Sequence, residues 1–332
     1  MQLAWLSLAL LVLQLTQLEL SQPLSWAWIA ATLCALGWHL WWILPYTRVW
    51  RVEVRSTRQH DPKRQLSILT ANVLMSNQNT DSFLALVAQN QPDVLVTLES
   101  DLRWQNALDT LQEEMPYSVK CPLDNLYGMH VYSRLPILSA TTAYLVEPNI
   151  PSIHAHILLR TGQKVRMHFL HPAPPSPTEN PESIQRDAEL LVVAQSVLES
   201  GQPLVVTGDL NDVAWSATTR LFRKVSGLLD PRIGRGLFNT FHAKIPLFRW
   251  PLDHLFHSEH FTITSIRRLP NFGSDHFALF TKLAYDPLIA PEQQGLRASE
   301  EELQQAQAIT DSMQVRKQDV PKTLTSPSVS KP

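Results

Sequence analysis

Six places in the sequence carry polar side chains where a short apolar run ends or is interrupted. A single residue of this kind is usually a turn former or a helix cap, because Asn and Asp favour those positions. Six of them within one region favour a shared chemical role. They are Asn72, Glu99, His171, Asp209 with Asn211, Asp253 with His254, and Asp275 with His276.

The side-chain types in this set are suited to metal-assisted hydrolysis of a phosphoester. That reaction requires neutralising the non-bridging oxygens, activating a water and stabilising the leaving oxygen. Glu99 and Asp275 can hold Mg²⁺ through oxygen, and Asn72 and Asn211 supply neutral ligands or phosphate donors. Carboxylates and carboxamides dominate and thiols are absent, which favours Mg²⁺ over Zn²⁺, with Mn²⁺ as an alternative.

A histidine that is oriented by a carboxylate can act as a general base near neutral pH. His276 with Asp253 is the candidate pair. Alternation along a strand points His254 away from Asp253, which predicts a packing role for this second histidine. The same alternation would point Asp209 and Asn211 to one side if the backbone stays extended there.

The surrounding pattern predicts a sheet whose carboxyl edge carries these residues. A strand over 66–73 contains Asn72, a helix capped by Asp81 follows, and a strand over 94–98 leads into Glu99. Strand, helix and strand in so few residues predict a βαβ unit with two parallel neighbours. Asn72 and Glu99 would then share the edge at which such sheets bind ligands.

The remaining pattern to residue 286 predicts further strands, some antiparallel, and therefore a mixed sheet. Gly208 marks the end of a buried strand over 205–207. The other predicted strands cover 117–120, 129–132, 153–159, 165–170, 252–257, 261–266 and 277–283, and the predicted helices cover 182–198 and 215–225.

The amino-terminal region is strongly apolar. Residues 24–44 are long enough to span a bilayer and carry tryptophans near both ends, as interfacial aromatic belts do. Residues 3–20 are a weaker candidate, for which we expect a second span. Residues 47–64 hold six Lys and Arg residues, so the positive-inside rule favours a cytoplasmic location for the domain that follows.

These patterns predict four parts of the chain. Residues 1–46 form two membrane helices, 47–64 a basic linker, 65–286 the catalytic domain, and 287–332 a polar tail. Within the tail we expect a short polar helix over 300–310 and disorder in the rest. The formal charge of −2 gives no indication of a protein that coats nucleic acid. Two cysteines in unlike contexts indicate neither a disulfide framework nor a cysteine metal site.

The order of the polar motifs resembles that of the endonuclease/exonuclease/phosphatase superfamily. This group includes DNase I-like nucleases, exonuclease III-like repair enzymes, neutral sphingomyelinases and inositol polyphosphate 5-phosphatases. The resemblance covers about residues 65–286, and the whole chain is similar to a bacterial subgroup with membrane helices ahead of the domain. It rests on Asn72, Glu99, His171, Gly208-Asp209-Leu210-Asn211, Leu252-Asp253-His254 and Gly273-Ser274-Asp275-His276.

The resemblance implies a fold, a location and a role for each residue. The fold is a four-layer α/β sandwich of two mixed β-sheets flanked by helices, and the location is the bacterial inner membrane. Glu99 would be the principal Mg²⁺ ligand with Asn72 as its neighbour, and Asp275 a metal-site carboxylate. The catalytic set would be Asp209 orienting the attacking water, Asn211 contacting the phosphate, His171 as donor or general acid, and His276 as base or transition-state stabiliser paired with Asp253.

Two positions depart from the family pattern. Leu98 stands where the family often has Gln before its glutamate. Leu74 stands where the repair endonucleases have Asp two residues after the first Asn, and this weakens an assignment as an apurinic endonuclease.

The sequence leaves the substrate open. A nuclease is favoured by the motifs and by a basic stretch over 216–250, but residues 65–286 carry 17 Lys and Arg against 21 Asp and Glu, a formal charge of −4. A phosphatase or phosphodiesterase acting on a phospholipid head group or small phosphoester is favoured by the membrane helices. A non-catalytic, membrane-tethered binding module is the least favoured, and no obligate protein partner is indicated beyond the lipid bilayer.

Overall fold

Two mixed β-sheets pack face to face at the centre of the molecule, as a computed structural model of the chain shows for residues 2–58, 61–174, 183–198 and 201–322. Helices cover both outer faces, so the four-layer α/β sandwich expected from the sequence is confirmed. The helices are α1 Gln2–Gln17, α2 Pro23–Ile43, α3 Thr80–Asn90, α4 Leu102–Leu108, α5 Ile184–Val197, α6 Ala217–Ser226 and α7 Glu300–Ser312. The strands are β1 Gln65–Asn72, β2 Val94–Leu98, β3 Tyr117–Cys121, β4 Met129–Ser133, β5 Ile137–Ala143, β6 Ser152–Leu158, β7 Lys164–Leu170, β8 Leu204–Asp209, β9 Asp253–His257, β10 Phe261–Arg268 and β11 Leu279–Tyr285.

The first sheet has the strand order β10-β11-β1-β2-β4-β3. β1 and β2 are parallel and are joined through α3, which is the βαβ unit expected from the sequence. Asn72 is paired with Leu98 at the carboxyl ends of these strands, so Glu99 follows directly beside it. β11 returns from the end of the domain to pair with β1 in the antiparallel direction.

The second sheet has the order β5-β6-β7-β8-β9, in which β7 and β8 are parallel. Asp209 at the end of β8 is paired with Asp253 at the start of β9. Gly208 is paired with Leu170, and a Cβ built on this glycine would lie 1.8 Å from the Leu170 carbonyl oxygen. Only glycine therefore allows β8 to lie this close to β7 beside the polar residues.

The inner faces of the two sheets enclose the largest apolar cluster, which includes Ile68, Val96, Val205 and Leu255. These strands read as continuous apolar runs because both of their faces are covered. Near the carboxyl edge the hydroxyls of Thr70 and Thr207 lie 2.7 Å apart across the interface between the sheets. The packing thus fixes the end of β1 against the end of β8.

The amino-terminal helices α1 and α2 pack against each other. Among the described residues, one helical segment, Pro23–Tyr46, is long and apolar enough to cross a membrane. Residues 3–20, for which we expected a second span, form the shorter apolar helix α1, which ends at Gln17 after 16 residues. At about 1.5 Å of rise per residue, this helix is shorter than the roughly 30 Å hydrocarbon core.

The short helix expected over residues 300–310 is present as α7, whereas the disorder expected for the rest of the tail was wrong up to residue 322. Ser299 and Glu302 form a capping box at the start of α7. Ala306, Val315 and Val320 are buried in the apolar cluster around α5 and α6. The composition of the tail alone indicated disorder. The apolar face of α5 allows a few small and branched residues of the tail to be buried, and this burial orders the segment.

Some sequence predictions extend beyond the described residues. Residues 59–60 of the predicted linker, the predicted helix start at residue 182 and residues 323–332 of the predicted tail lie outside them. Within the described residues α5 begins at Ile184.

Candidate active site

An amide and two carboxylates from both sheets meet at the carboxyl edge of the sandwich. Asn72 Nδ2 donates a hydrogen bond to Glu99 Oε1 at 2.7 Å and lies 3.2 Å from Asp209 Oδ2. Asn72 ends β1 in the first sheet, whereas Asp209 ends β8 in the second. One side chain thus links the two halves of the site.

Glu99 directs an isolated carboxylate into this edge. Its backbone has a φ of +56°, so the chain turns sharply after β2 and aims the side chain at Asn72. Burial raises the pKa of Glu99 to about 7, and the repulsion by Asp209 adds to it, while the hydrogen bond from Asn72 opposes the rise. A carboxylate whose charge is disfavoured in this way would be stabilised by a bound cation.

The backbone turns at Asn211, where φ is +50°, and the extended geometry considered for Asp209 and Asn211 is not formed. Asn211 N donates to Asp209 Oδ1 at 2.9 Å, and Asn211 Nδ2 donates to the Pro172 carbonyl at 3.0 Å. The turn places Asn211 beside the segment that follows His171. Asp209 and Asn211 therefore remain in one site through a side-chain-capped turn.

His276 lies between two buried carboxylates. Its Nδ1 is 2.8 Å from Asp253 Oδ2, and its Nε2 is 3.5 Å from Asp209 Oδ2. Burial lowers the pKa of His276, but Asp253 and then Asp209 outweigh it and raise the pKa to about 10. The ring is therefore an imidazolium at neutral pH.

Ser274, which the sequence reasoning passed over, positions two members of the site. Its Oγ donates to the Asn72 carbonyl at 2.9 Å and accepts from His276 N at 3.0 Å. Asp275 is half-buried, and its charge raises the pKa of both Glu99 and His276, so its carboxylate lies near both groups. The Gly-Ser-Asp-His motif was the available signal for Ser274.

His171 follows β7 and is buried at the same edge. Burial lowers its pKa to about 4, against the attraction of Asp209. Among the described residues its Nδ1 has no hydrogen-bond partner. A neutral imidazole with an unpaired nitrogen can donate to or accept from a bound oxyanion.

His254 has the structural surroundings predicted for it. Arg232 donates to its Nδ1 at 2.8 Å, and its Nε2 donates to the Asp212 carbonyl at 2.9 Å. Burial and the neighbouring Arg232 lower its pKa to about 3, so the ring is neutral. Both ring nitrogens are therefore hydrogen-bonded, and the bond to the Asp212 carbonyl holds the turn after β8.

Arg186 on α5 is a further residue that the sequence reasoning missed. It donates to the Asn211 carbonyl at 2.8 Å and pairs with Asp187 at 2.8 Å. It also lies 3.7 Å from Asp212. No motif marks this arginine, because it acts on the backbone of a distant segment.

Two neighbouring groups could hold a divalent metal. Asp209, Asp253 and His276 offer ligand atoms within 4.8 Å of one another. In this group His276 Nδ1 donates a hydrogen bond to Asp253, so the ring is better suited to donating protons or hydrogen bonds than to binding a metal. Glu99 and the nearby Asp275 form the better oxygen donor set, since neither carboxylate forms a salt bridge among the described residues, and Asn72 Nδ2 holds Glu99 in place.

Several basic side chains of the stretch 216–250 form salt bridges within the protein. Arg223 pairs with Glu53 at 2.5 Å, and Arg232 pairs with Asp230 at 2.7 Å, both pairs being buried or nearly so. Lys224 pairs with Glu302. This stretch therefore does not present the continuous cationic surface that a polyanion would require.

Comparison with known proteins agrees with this geometry. Residues 69–276 match the Endonuclease/Exonuclease/phosphatase family. No curated protein sequence matches the chain at a significant level.

Solved structures share the fold at low sequence identity. D. rerio TDP2 in complex with a single-strand DNA product is 17% identical, with a TM-score of 0.54 over 66% of this chain and 98% of that one. The human Nocturnin catalytic domain with bound sulfate is 17% identical, with a TM-score of 0.55 over 67% and 94%. An endonuclease/exonuclease/phosphatase from Beutenbergia cavernae is 15% identical, with a TM-score of 0.53 over 67% and 72%.

The family match spans more than half of the chain and includes every polar residue of the site described above. The chain belongs to the endonuclease/exonuclease/phosphatase family and is an enzyme that hydrolyses phosphoesters.

Proposed function

We propose that this chain is a membrane-anchored hydrolase that uses Mg²⁺, or Mn²⁺ in its place, to direct a water onto a phosphoester. The main support is the position of the His276 imidazole, which lies between Asp253 and Asp209 and beside the Asn72–Glu99 pair. This arrangement places a fixed positive charge, a water-orienting carboxylate and an oxygen donor set side by side. We assign the chain to the membrane-anchored bacterial subgroup of the family.

Asp209 is the residue that orients the attacking water. Burial opposes its ionisation, but His276 and then His171 hold the pKa of Asp209 below its ordinary value. The carboxylate is therefore ionised and keeps an acceptor for the water proton. Asn211 N donates to Asp209 Oδ1 at 2.9 Å, which turns Oδ2 towards Asn72 and His276.

His276 acts as a stabiliser of negative charge in the resting enzyme. A ring with a pKa of about 10 is already protonated at neutral pH, so it cannot take a proton from water before the reaction begins. Its Nε2–H can instead donate to the oxygens that gain charge in the transition state. Of the two roles considered for His276, the surroundings favour stabiliser over base.

His171 and Asn211 would contact the phosphate. His171 is neutral and has an unpaired Nδ1, so it can donate to a phosphate oxygen or protonate the leaving group. Glu99, with Asn72 and Asp275, would hold the metal ion. Bound there, a divalent cation would neutralise the phosphate oxygens and stabilise the leaving oxygen.

Two substrate classes have support. A structural relative, D. rerio TDP2, was solved with a single-strand DNA product, which keeps nucleic acid as one candidate. The apolar segment Pro23–Tyr46 and the internal pairing of the basic stretch support a phosphoester carried by the membrane. A non-catalytic binding module has no specific support, since hydrogen bonds and ion pairs join Asn72, Glu99, Asp209, Asp253 and His276 at one edge of the sandwich.

The proposed location is the inner membrane of a bacterium, with the domain on the cytoplasmic side. α2 would be the anchor, and the basic residues that follow it, from Arg48 to Arg64, would stay on the inner face by the positive-inside rule. Translocation of a reporter fused behind residue 332 tests this sidedness. Activity of a periplasm-specific reporter at that position would overturn it.

The test of the activity is hydrolysis by the full chain reconstituted in nanodiscs with Mg²⁺. Plasmid DNA, single-stranded RNA, a soluble phosphodiester and phospholipid vesicles are assayed side by side. Asp209→Ala is the control, because it removes the water-orienting carboxylate while leaving the metal ligands in place. Hydrolysis of at least one substrate that is lost in Asp209→Ala supports the proposal, and equal activity of the two proteins on every substrate overturns it.

A further inference from the structure

An exposed apolar loop lies between Ala243 and Arg249. Leu247 is 82% exposed, Phe248 50% and Ile245 44%. Three large apolar side chains exposed within four residues form a patch of the kind that marks an interaction surface. We refer to residues 244–248 as the apolar loop.

The apolar loop is close to the amino-terminal helices. Gln2 Nε2, at the start of α1, donates to the Leu247 carbonyl at 3.1 Å. At the other helix, the guanidinium of Arg220 lies 3.6 Å from the ring centre of Trp42, and Tyr46 donates to the Ala214 carbonyl at 2.7 Å. The start of α1 and the end of α2 are the same end of this helix pair. The apolar loop therefore lies at the level where α2 leaves the membrane.

The stems of the same loop form one wall of the active site. Ala243 N donates to the Asp275 carbonyl at 2.6 Å. The Phe241 ring lies 4.9 Å from the His276 ring and 6.0 Å from Trp250, on which it stacks. The position of the apolar loop is thus coupled through short contacts to the residues that flank the catalytic imidazole.

The composition of the loop indicates what covers it. Lys244 is exposed beside the apolar residues, Arg249 donates to the Ala243 carbonyl at 3.2 Å, and no acidic residue occurs from 231 to 252. Exposed apolar side chains next to a basic one, without acidic neighbours in sequence, suit the boundary between acyl chains and anionic head groups. A protein partner is less suited, because the adjoining surface is the end of a helix pair that itself is apolar.

We propose that residues 244–248 insert into the membrane interface beside α2 and hold the active site open towards the bilayer, so that the substrate is a phosphoester carried by a lipid of the same membrane. This inference rests on the proposed function for the hydrolytic step. The insertion itself does not depend on catalysis. The two can therefore be tested separately.

The insertion is tested by fluorescence in nanodiscs. Leu247→Cys is made in a background without the two native cysteines, Cys34→Ala and Cys121→Ser, and is labelled with nitrobenzoxadiazole. Leu198→Cys is the matched control, since Leu198 is 51% exposed at the end of α5, on the edge of the sheet opposite the active site. Lipids with a nitroxide on the acyl chain should quench the label at 247 at least threefold more than the label at 198. Equal quenching at the two positions overturns the insertion.

The substrate class is tested with the double variant Leu247→Ser and Phe248→Ser in nanodiscs. Hydrolysis of a phosphodiester lipid placed in the same nanodisc should fall at least tenfold, and hydrolysis of soluble bis(4-nitrophenyl) phosphate should stay within twofold. Equal lipid hydrolysis by variant and wild type, or wild-type activity on nucleic acid alone, overturns the inference. A wild type inactive even on the soluble diester overturns the proposed function, and the quenching experiment then still decides whether the loop inserts.

Discussion

His276 donates its Nδ1 proton to Asp253 Oδ2 at 2.8 Å, and the second carboxylate oxygen of Asp253 has no partner among the described residues. Asp253 N donates to the Thr240 hydroxyl at 3.1 Å, which fixes the backbone that carries the carboxylate. A hydrogen bond between a carboxylate and an imidazolium is of the strong, charge-assisted kind. The charge of His276 is therefore set by Asp253 more than by solvent.

Asp253→Asn should lower the pKa of His276 and with it the protonated fraction of the ring at neutral pH. The largest attraction that raises the pKa of His276 would be removed, while burial would continue to lower it. We expect kcat to fall by about 10² or more. The measurement is the pH profile of kcat on a soluble phosphodiester, which should recover towards acidic pH in the variant. A profile identical to that of the wild type would refute the role given to Asp253.

Glu99→Gln should remove metal-dependent activity without unfolding the protein. The amide keeps the size of the side chain and can still accept from Asn72, whereas the charge needed for a cation is lost. Burial already raises the pKa of Glu99 to about 7, so neutralising this position costs the fold little. Calorimetric titration with Mg²⁺ and thermal unfolding are measured together. Activity within a few-fold of wild type at saturating Mg²⁺ would contradict the metal assignment.

Gly208→Ala should destabilise the domain strongly. The added Cβ would lie 1.8 Å from the Leu170 carbonyl oxygen, which is backbone and cannot move aside without separating β7 from β8. We expect a loss of at least about 3 kcal/mol in unfolding free energy. Gly201→Ala is the control, because its φ is +54° but nothing lies within 4 Å of the new Cβ, so only strain of about 1–2 kcal/mol is expected. Denaturant unfolding of both variants decides, and equal losses would refute the close-approach argument.

His276 should make stability depend on pH in the alkaline range. Its pKa is raised from 6.5 to about 10 in the folded protein, so the protonated form is bound more tightly by the fold than by the unfolded chain. The resulting stabilisation is fully present below pH 6.5 and is lost as pH rises through 10. His276→Gln should flatten this part of the profile, which unfolding midpoints between pH 6 and pH 10 would show. Parallel profiles for the two proteins would argue against the imidazolium.

The sequence predicted the parts of the fold and site that depend on local pattern. Strong apolar runs with polar ends indicated β1, β2 and β8, and the βαβ unit was confirmed because its helix lies between them in sequence. β5 was missed because its residues, from Ile137 to Ala143, are small and partly exposed at a sheet edge. The tail was misjudged because its burial depends on a face supplied by α5.

The supporting residues of the site were harder to find than the chemical ones. Ser274 holds Asn72 across 202 positions of sequence, and Arg186 holds the Asn211 carbonyl across 25. Such contacts join a side chain to a backbone atom, and they leave no pairing of residue types in the sequence. The charge state of His276 was likewise open until its distances from Asp253 and Asp209 were known.

The antiparallel pairing of β11 with β1 has a consequence for the newly synthesised protein. Gln65 is paired with Ala284, so the first strand of the domain cannot pair with the last one until residue 284 has been synthesised. His276 lies three residues before β11 and therefore arrives among the last parts of the fold. Domains fold as units during synthesis. The site would therefore form, and the enzyme become active, only after nearly the whole domain has left the exit tunnel. By then α2 would already be available for insertion into the membrane.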